Sequence, residues 1–163
     1  MKKVAVVMGS TSDLAVASKT VDTLKELEVP CEVHVLSAHR TPDAVAELAA
    51  GARAAGFGVI IAEAGLAAHL AGAVAARTTL PVIGVPLVAG ALAGVDALLS
   101  TVQMPPGVPV ACVGIGAGVN AALLAAQILA VADDGLAGRL EARRRDAAGK
   151  VMRQDSGISG PER

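Results

Sequence analysis

The sequence predicts a three-layer α/β fold, an open parallel sheet with helices on both faces and right-handed crossovers. Three observations carry that prediction. Short runs made almost wholly of Val, Ile, Ala and Leu recur five times along the 163 residues, which is how strands covered on both faces read. Ala- and Leu-rich segments with helical spacing separate them. Turns rich in Gly, Ser and His lead from strand to helix, at the carboxyl edge of such a sheet, where ligands bind.

Residues 3–8 are the first strand, and Gly9-Ser10-Thr11-Ser12-Asp13 turns the chain into a helix with apolar positions Leu14, Ala17, Val21, Leu24 and Leu27. Capping a helix start needs one hydroxyl or carboxylate. Four such residues after a glycine leave a phosphate and ribose site as a second reading of the turn, beside capping. The turn is neither a Walker loop nor a G-x-G-x-x-G fingerprint, so a nucleoside triphosphate or NAD is not expected.

The second strand, residues 31–36, runs into Ser37-Ala38-His39-Arg40-Thr41-Pro42-Asp43. Thr41 suits an N-cap and Pro42 the first helical position, where a missing N–H is no loss. His39 and Arg40 therefore stand just outside a helix N-terminus. That end attracts anions, a guanidinium fork matches phosphate or carboxylate, and an imidazole carries a proton either way near neutral pH. The local pattern is an anion site with an acid/base beside it.

A helix over 43–55 and a third strand over 59–62 lead to Glu63-Ala64-Gly65-Leu66-Ala67-Ala68-His69-Leu70, whose small residues let a flat ligand lie against the backbone. His69 enters from the next helix, where a single His on an apolar face is commonly structural. The fourth strand is 81–85, followed by Pro86 and a helix through Gly94, Asp96 and Leu99. Gln103-Met104-Pro105-Pro106-Gly107 reads as a rigid loop, 108–113 as the fifth strand, and Gly114-Ile115-Gly116-Ala117-Gly118 as a turn into a helix over 120–132. In the last helix, from 136 to about 152, Arg139, Arg143, Arg144 and Arg145 against Glu141 and Asp146 read as a solvated face or subunit contact. Residues 1–153 form one domain, and 154–163, polar and bearing Pro and Gly, are expected to be a disordered tail.

Composition narrows the partners. A net charge of −1 and 1% aromatic residues provide neither the basic patch nor the stacking platforms that nucleic acid needs. An apolar share of 53% and a mean hydropathy of +0.59 come from small side chains, a surplus that favours a homo-oligomer. Prolines and glycines break the apolar runs, and Asn120 and Gln127 interrupt the last one, so no membrane span is expected. The apolar run after Met1-Lys2-Lys3 is too short for a signal peptide, and the protein is expected to be cytoplasmic. Cys31 and Cys112 sit in strand-like runs with no metal-ligand spacing, and read as buried structural thiols.

Several motifs together resemble one family. Met8-Gly9-Ser10-x-Ser12-Asp13, Ser37-Ala38-His39-Arg40-Thr41-Pro42, Ala67-Ala68-His69-Leu70, Gly84-Val85-Pro86, Val102-Gln103-Met104-Pro105-x-Gly107 and the run from Asn120 to Leu129 look like the N5-carboxyaminoimidazole ribonucleotide mutase family, PurE. The resemblance implies octamers of flavodoxin-like subunits whose C-terminal helices pack on neighbouring subunits. It also implies transfer of a carboxyl group from the exocyclic nitrogen to ring carbon C4 of an aminoimidazole ribonucleotide, with no cofactor and no metal. Ser12 and Arg40 would hold the phosphate with Ser10 nearby, Asp13 would bind the ribose, and the ring would lie near Ser37, His39, Gly65 and His69. His39 would be the catalytic acid/base, and the enzyme that makes the N5-carboxylated substrate would be a functional partner.

Ala68-His69-Leu70 favours the mutase branch over a carboxylase branch that uses CO2 directly. Rival readings are that carboxylase, a related domain that carboxylates a nicotinate-derived dinucleotide, and a non-catalytic module that keeps the nucleotide pocket. Glu63 stands where the family usually has Gly, Ala71 where it has Pro, and Ala89 and Ala97 where it has Ser. The Gly114 to Asn120 loop is shorter than in some members. The Glu63 carboxylate is expected to point away from the ligand.

Overall fold

The computed structural model describes residues 1–158. Five strands, β1 (Lys3–Met8), β2 (Cys31–Val35), β3 (Phe57–Gly65), β4 (Val82–Leu87) and β5 (Ala111–Cys112), form one parallel sheet in the order β2-β1-β3-β4-β5. Between and after them run α1 (Leu14–Glu26), α2 (Pro42–Gly51), α3 (Leu70–Ala75), α4 (Val95–Val102), α5 (Gly118–Ala130) and α6 (Asp134–Ile158). This is the flavodoxin-like strand order, and its direction reverses between β1 and β3. A crevice opens there at the carboxyl ends of the strands.

Side-chain alternation along the strands builds two cores, one on each face. Val4, Val6, Met8, Ile61 and Val85 point to α1 and α5, where Ala17, Leu24, Ala121, Ala122 and Ala125 meet them. Ala5, Val7, Ile60 and Ala62 point the other way, to Val45 and Ala49 of α2 and Leu70 and Val74 of α3. From Val4 to Met8 both faces of β1 are buried, which explains why that run shows no polar alternation. At Gly84 a Cβ would run into the Thr101 methyl, so the missing side chain lets α4 lie close on β4.

Four differences from the sequence reading have physical causes. β3 runs on through Glu63, Ala64 and Gly65, because these pair with Val85, Pro86 and Leu87 of β4. β5 shrinks to Ala111 and Cys112, since Pro109 donates no N–H and the strand lies on the sheet edge. Residues 154–158, expected to be disordered, continue α6, for no proline follows Pro109 until Pro161; residues 159–163 of the expected tail lie outside the described residues. Arg139 and Arg143 are not merely a solvated face: Arg139 Nε donates to the Leu27 carbonyl at 2.7 Å and Arg143 pairs with Glu26. Those cations meet the negative end of the α1 dipole, and buried Leu136 completes the contact.

Cys31 and Cys112 are free thiols, half-buried rather than buried. Among the described residues no helix is long and apolar enough to cross a membrane. No group of three or more His, Cys, Asp or Glu among them could hold a metal ion. On α4, Val95, Leu99 and Val102 recur at helical spacing and are exposed.

Candidate active site

A cavity of about 470 Å³ lies over the β1–β3 crevice. The turn after β1 contributes Gly9, Ser10, Ser12 and Asp13, and the turn after β2 contributes Ser37, Ala38, His39 and Arg40. From the β3 side come Ala64, Gly65, Leu66, Ala67, His69 and Leu70, and from the β4 side Ala89. All eight residues singled out in the sequence, Ser10, Ser12, Asp13, Ser37, His39, Arg40, Gly65 and His69, line this single cavity.

The β1 turn caps itself and still offers groups to a ligand. Ser10 Oγ accepts the Ser12 N–H at 3.3 Å, and Asp13 Oδ2 accepts the Ser10 N–H at 3.1 Å, a capping box on the short 3-10 turn Thr11–Asp13. Ser12 Oγ donates to Asp13 Oδ1 at 3.2 Å. The Ser10 hydroxyl keeps its proton for a ligand oxygen, and each Asp13 oxygen has a second lone pair for a hydroxyl donor. Capping and binding are therefore compatible uses of the same residues.

The β2 turn is tied more tightly than its sequence indicates. Thr41 occupies the N-cap position of α2 but makes no side-chain cap. Its hydroxyl instead bonds back to Ser37, accepting the Ser37 N–H at 2.9 Å and donating to the Ser37 carbonyl at 3.1 Å. Ser37 Oγ accepts the Arg40 N–H at 3.2 Å. This closed turn presents His39 and Arg40 together, and Arg40 Nη2 donates to the Gly9 carbonyl at 2.7 Å, joining the β1 and β2 turns.

His39 and His69 face each other across the cavity. His39 Nε2 lies 2.8 Å from His69 Nδ1, with the rings nearly perpendicular at 79°. For that contact to be a hydrogen bond one nitrogen carries the proton and the other the lone pair, which fixes the two rings relative to each other. The His69 loop is held from outside the cavity, because Ser100 Oγ accepts the Ala68 N–H at 3.0 Å and donates to the Asp96 carbonyl at 2.7 Å. The sequence held no local signal for Ser100, which lies on a different helix.

Glu63 is fully buried and takes no part in lining the cavity. Its Oε1 accepts from Thr20 Oγ1 of α1 at 2.6 Å, and its Oε2 has no partner. Gly118 permits this arrangement, since a Cβ there would collide with the Thr20 hydroxyl. Burial, reinforced by the nearby Asp13 charge and partly offset by the Thr20 bond, pushes the Glu63 carboxyl up to about 7. The carboxylate points away from the ligand space, toward α1.

Comparison with known proteins gives a concordant result. The family model described as AIR carboxylase matches residues 3–150. An N5-carboxyaminoimidazole ribonucleotide mutase of Bacillus subtilis is 56% identical over 151 residues, covering 91% of this chain and 93% of that one. The mutase of Methanocaldococcus jannaschii is 52% identical over 155 residues, with 95% and 96% coverage. A crystal structure of Treponema denticola PurE superposes with a TM-score of 0.88 at 30% identity, covering 96% of this chain and 98% of that one.

Proposed function

The chain belongs to the AIR carboxylase family, and from that premise we propose that it is an N5-carboxyaminoimidazole ribonucleotide mutase of purine biosynthesis, moving the carboxyl group from N5 to C4 with His39 as acid and base. The observation that carries the acid/base assignment is the 2.8 Å His39–His69 contact, set between a phosphate-sized polar turn and a wall of small residues.

The chemistry needs one proton carrier used twice. His39, protonated, gives its proton to N5 as the N–C bond of the carbamate breaks and CO2 is released. The ring, now an electron-rich enamine, attacks CO2 through C4. Neutral His39 then removes the C4 proton, aromaticity returns, and the imidazolium is restored. His69 holds the His39 ring in orientation between the two transfers. Confinement of CO2 beside C4 supplies the effective concentration that free CO2 would lack.

Binding follows from the turns. Arg40, Ser12 and Ser10 take the phosphate, Asp13 takes the ribose hydroxyls, and Ser37 and Gly65 border the ring. The same reading makes the enzyme a cytoplasmic homo-octamer supplied by the enzyme that carboxylates N5. The exposed Val95, Leu99 and Val102 on α4 support self-association.

Wild-type enzyme is expected to convert freshly made N5-carboxyaminoimidazole ribonucleotide to its C4 isomer, and no conversion defeats the reading. Arg40→Ala removes a charge-assisted phosphate contact, so the Michaelis constant rises about 10- to 100-fold with kcat far less affected. An unchanged Michaelis constant would remove Arg40 from the phosphate site.

A further inference from the structure

The turn after β3 contains one large apolar side chain among small ones. Leu66 has φ of +55°, in the left-handed region that a residue with a bulky side chain avoids. Its side chain lines the cavity and is 54% exposed, so burial in the core does not account for the strained backbone. Its far end reaches the loop after β4, where a Cβ on Gly90 would lie only 2.8 Å from Leu66 Cδ2. Ala89, the neighbour of Gly90, lies as close to the residue before Leu66, its Cβ 2.9 Å from a Cβ built on Gly65. Leu66 thus closes the gap between two loops on the β3–β4 side of the cavity, while the β1 and β2 turns supply the polar side. Strained backbone kept at such a place is a marker of function.

We propose that Leu66 is the wall that retains carbon dioxide between the two bond changes, so that C4 recaptures the molecule that N5 released. The proposal rests on the carboxyl-shift reading above. When the N5–C bond breaks, its electron pair stays on N5 and takes up the proton that His39 gives, and CO2 leaves as a neutral, linear molecule. When the C4–C bond forms, its electron pair comes from the ring, and the C4 proton passes to His39. Between those steps no covalent bond holds the CO2, and its lack of charge gives Arg40 little hold on it. Only an enclosing apolar surface does, and the same surface keeps water out.

The test starts from the stable C4-carboxylated ribonucleotide, carrying 13C in its carboxyl group, mixed with enzyme, unlabelled bicarbonate and carbonic anhydrase. Loss of label is measured by mass spectrometry and divided by the rate at which the two carboxylated isomers interconvert. Leu66→Ala removes the wall and keeps the left-handed strain, Leu66→Gly removes both, and Leu66→Met keeps the bulk. The Ala and Gly variants are expected to lose label several-fold faster per turnover than the wild type, and Met to match it. Gly is expected to melt at a higher temperature than Ala, which shows that the leak follows the wall and not the strain. Label retained equally by all four proteins overturns the proposal, as does a wild type that loses its label at every turnover. A wild type that interconverts nothing instead removes the carboxyl-shift reading, and the wall with it.

Discussion

His39→Asn is expected to remove turnover while leaving ribonucleotide affinity within a few-fold of the wild type. Asparagine is polar and of similar reach but cannot take up a proton, so the N5 protonation and the C4 deprotonation of the proposed mechanism would both lose their carrier. General acid/base catalysis by one positioned group contributes about 10²–10⁴-fold, and in the proposed mechanism both halves of the reaction use this one. Binding persists because Arg40, Ser12 and Asp13 stand on the closed turns after β1 and β2, which are tied through Thr41, Ser37 and the Gly9 carbonyl rather than through the imidazole. Steady-state kcat and calorimetric affinity check the two halves separately. A variant that turns over normally removes His39 from the chemistry, and one that loses affinity in proportion to rate makes it a structural residue of the loop.

Glu63→Gln is expected to stabilise the protein at pH 8 and to change little at pH 5. The folded-state pKa of Glu63 is raised to about 7 from an ordinary 4.5. The stability tied to its bound proton is therefore fully present below about 4.5 and lost as pH rises through about 7. Each pKa unit corresponds to about 1.4 kcal/mol, so ionised Glu63 destabilises the fold by about 3 kcal/mol above that range. Glutamine removes the charge and keeps an oxygen to accept from Thr20. Urea unfolding midpoints of both proteins at the two pH values check this. Parallel pH profiles would show that Glu63 does not titrate in the buried position between β3 and α1.

The parts of this fold that were legible in the sequence are those decided by neighbours in the chain. β1 announced itself because both its faces are buried, and the His39 turn because Thr41-Pro42 begins a helix. Even there, Thr41 spends its hydroxyl on Ser37 instead of the helix end, a choice that depends on how the turn closes. The rest depended on residues distant in sequence. Glu63-Ala64-Gly65 has no strand character of its own and becomes strand because β4 lies beside it. The Glu63–Thr20 bond spans 43 positions and the His39–His69 contact 30. Ser100 and the left-handed Leu66 had no local signature at all, since leucine is among the residues least expected at positive φ.

In the proposed reaction the carboxyl group that enters at C4 is the one that leaves N5. The most direct measurement is the initial rate of C4-carboxylated product from freshly made N5-carboxyaminoimidazole ribonucleotide, with and without added bicarbonate, set against the rate from aminoimidazole ribonucleotide plus bicarbonate. The rate from the N5-carboxylated substrate is expected not to depend on bicarbonate and to exceed by far the rate from the uncarboxylated one. Product formed only from aminoimidazole ribonucleotide and high bicarbonate would contradict it, and would make the protein a carboxylase that draws on dissolved CO2.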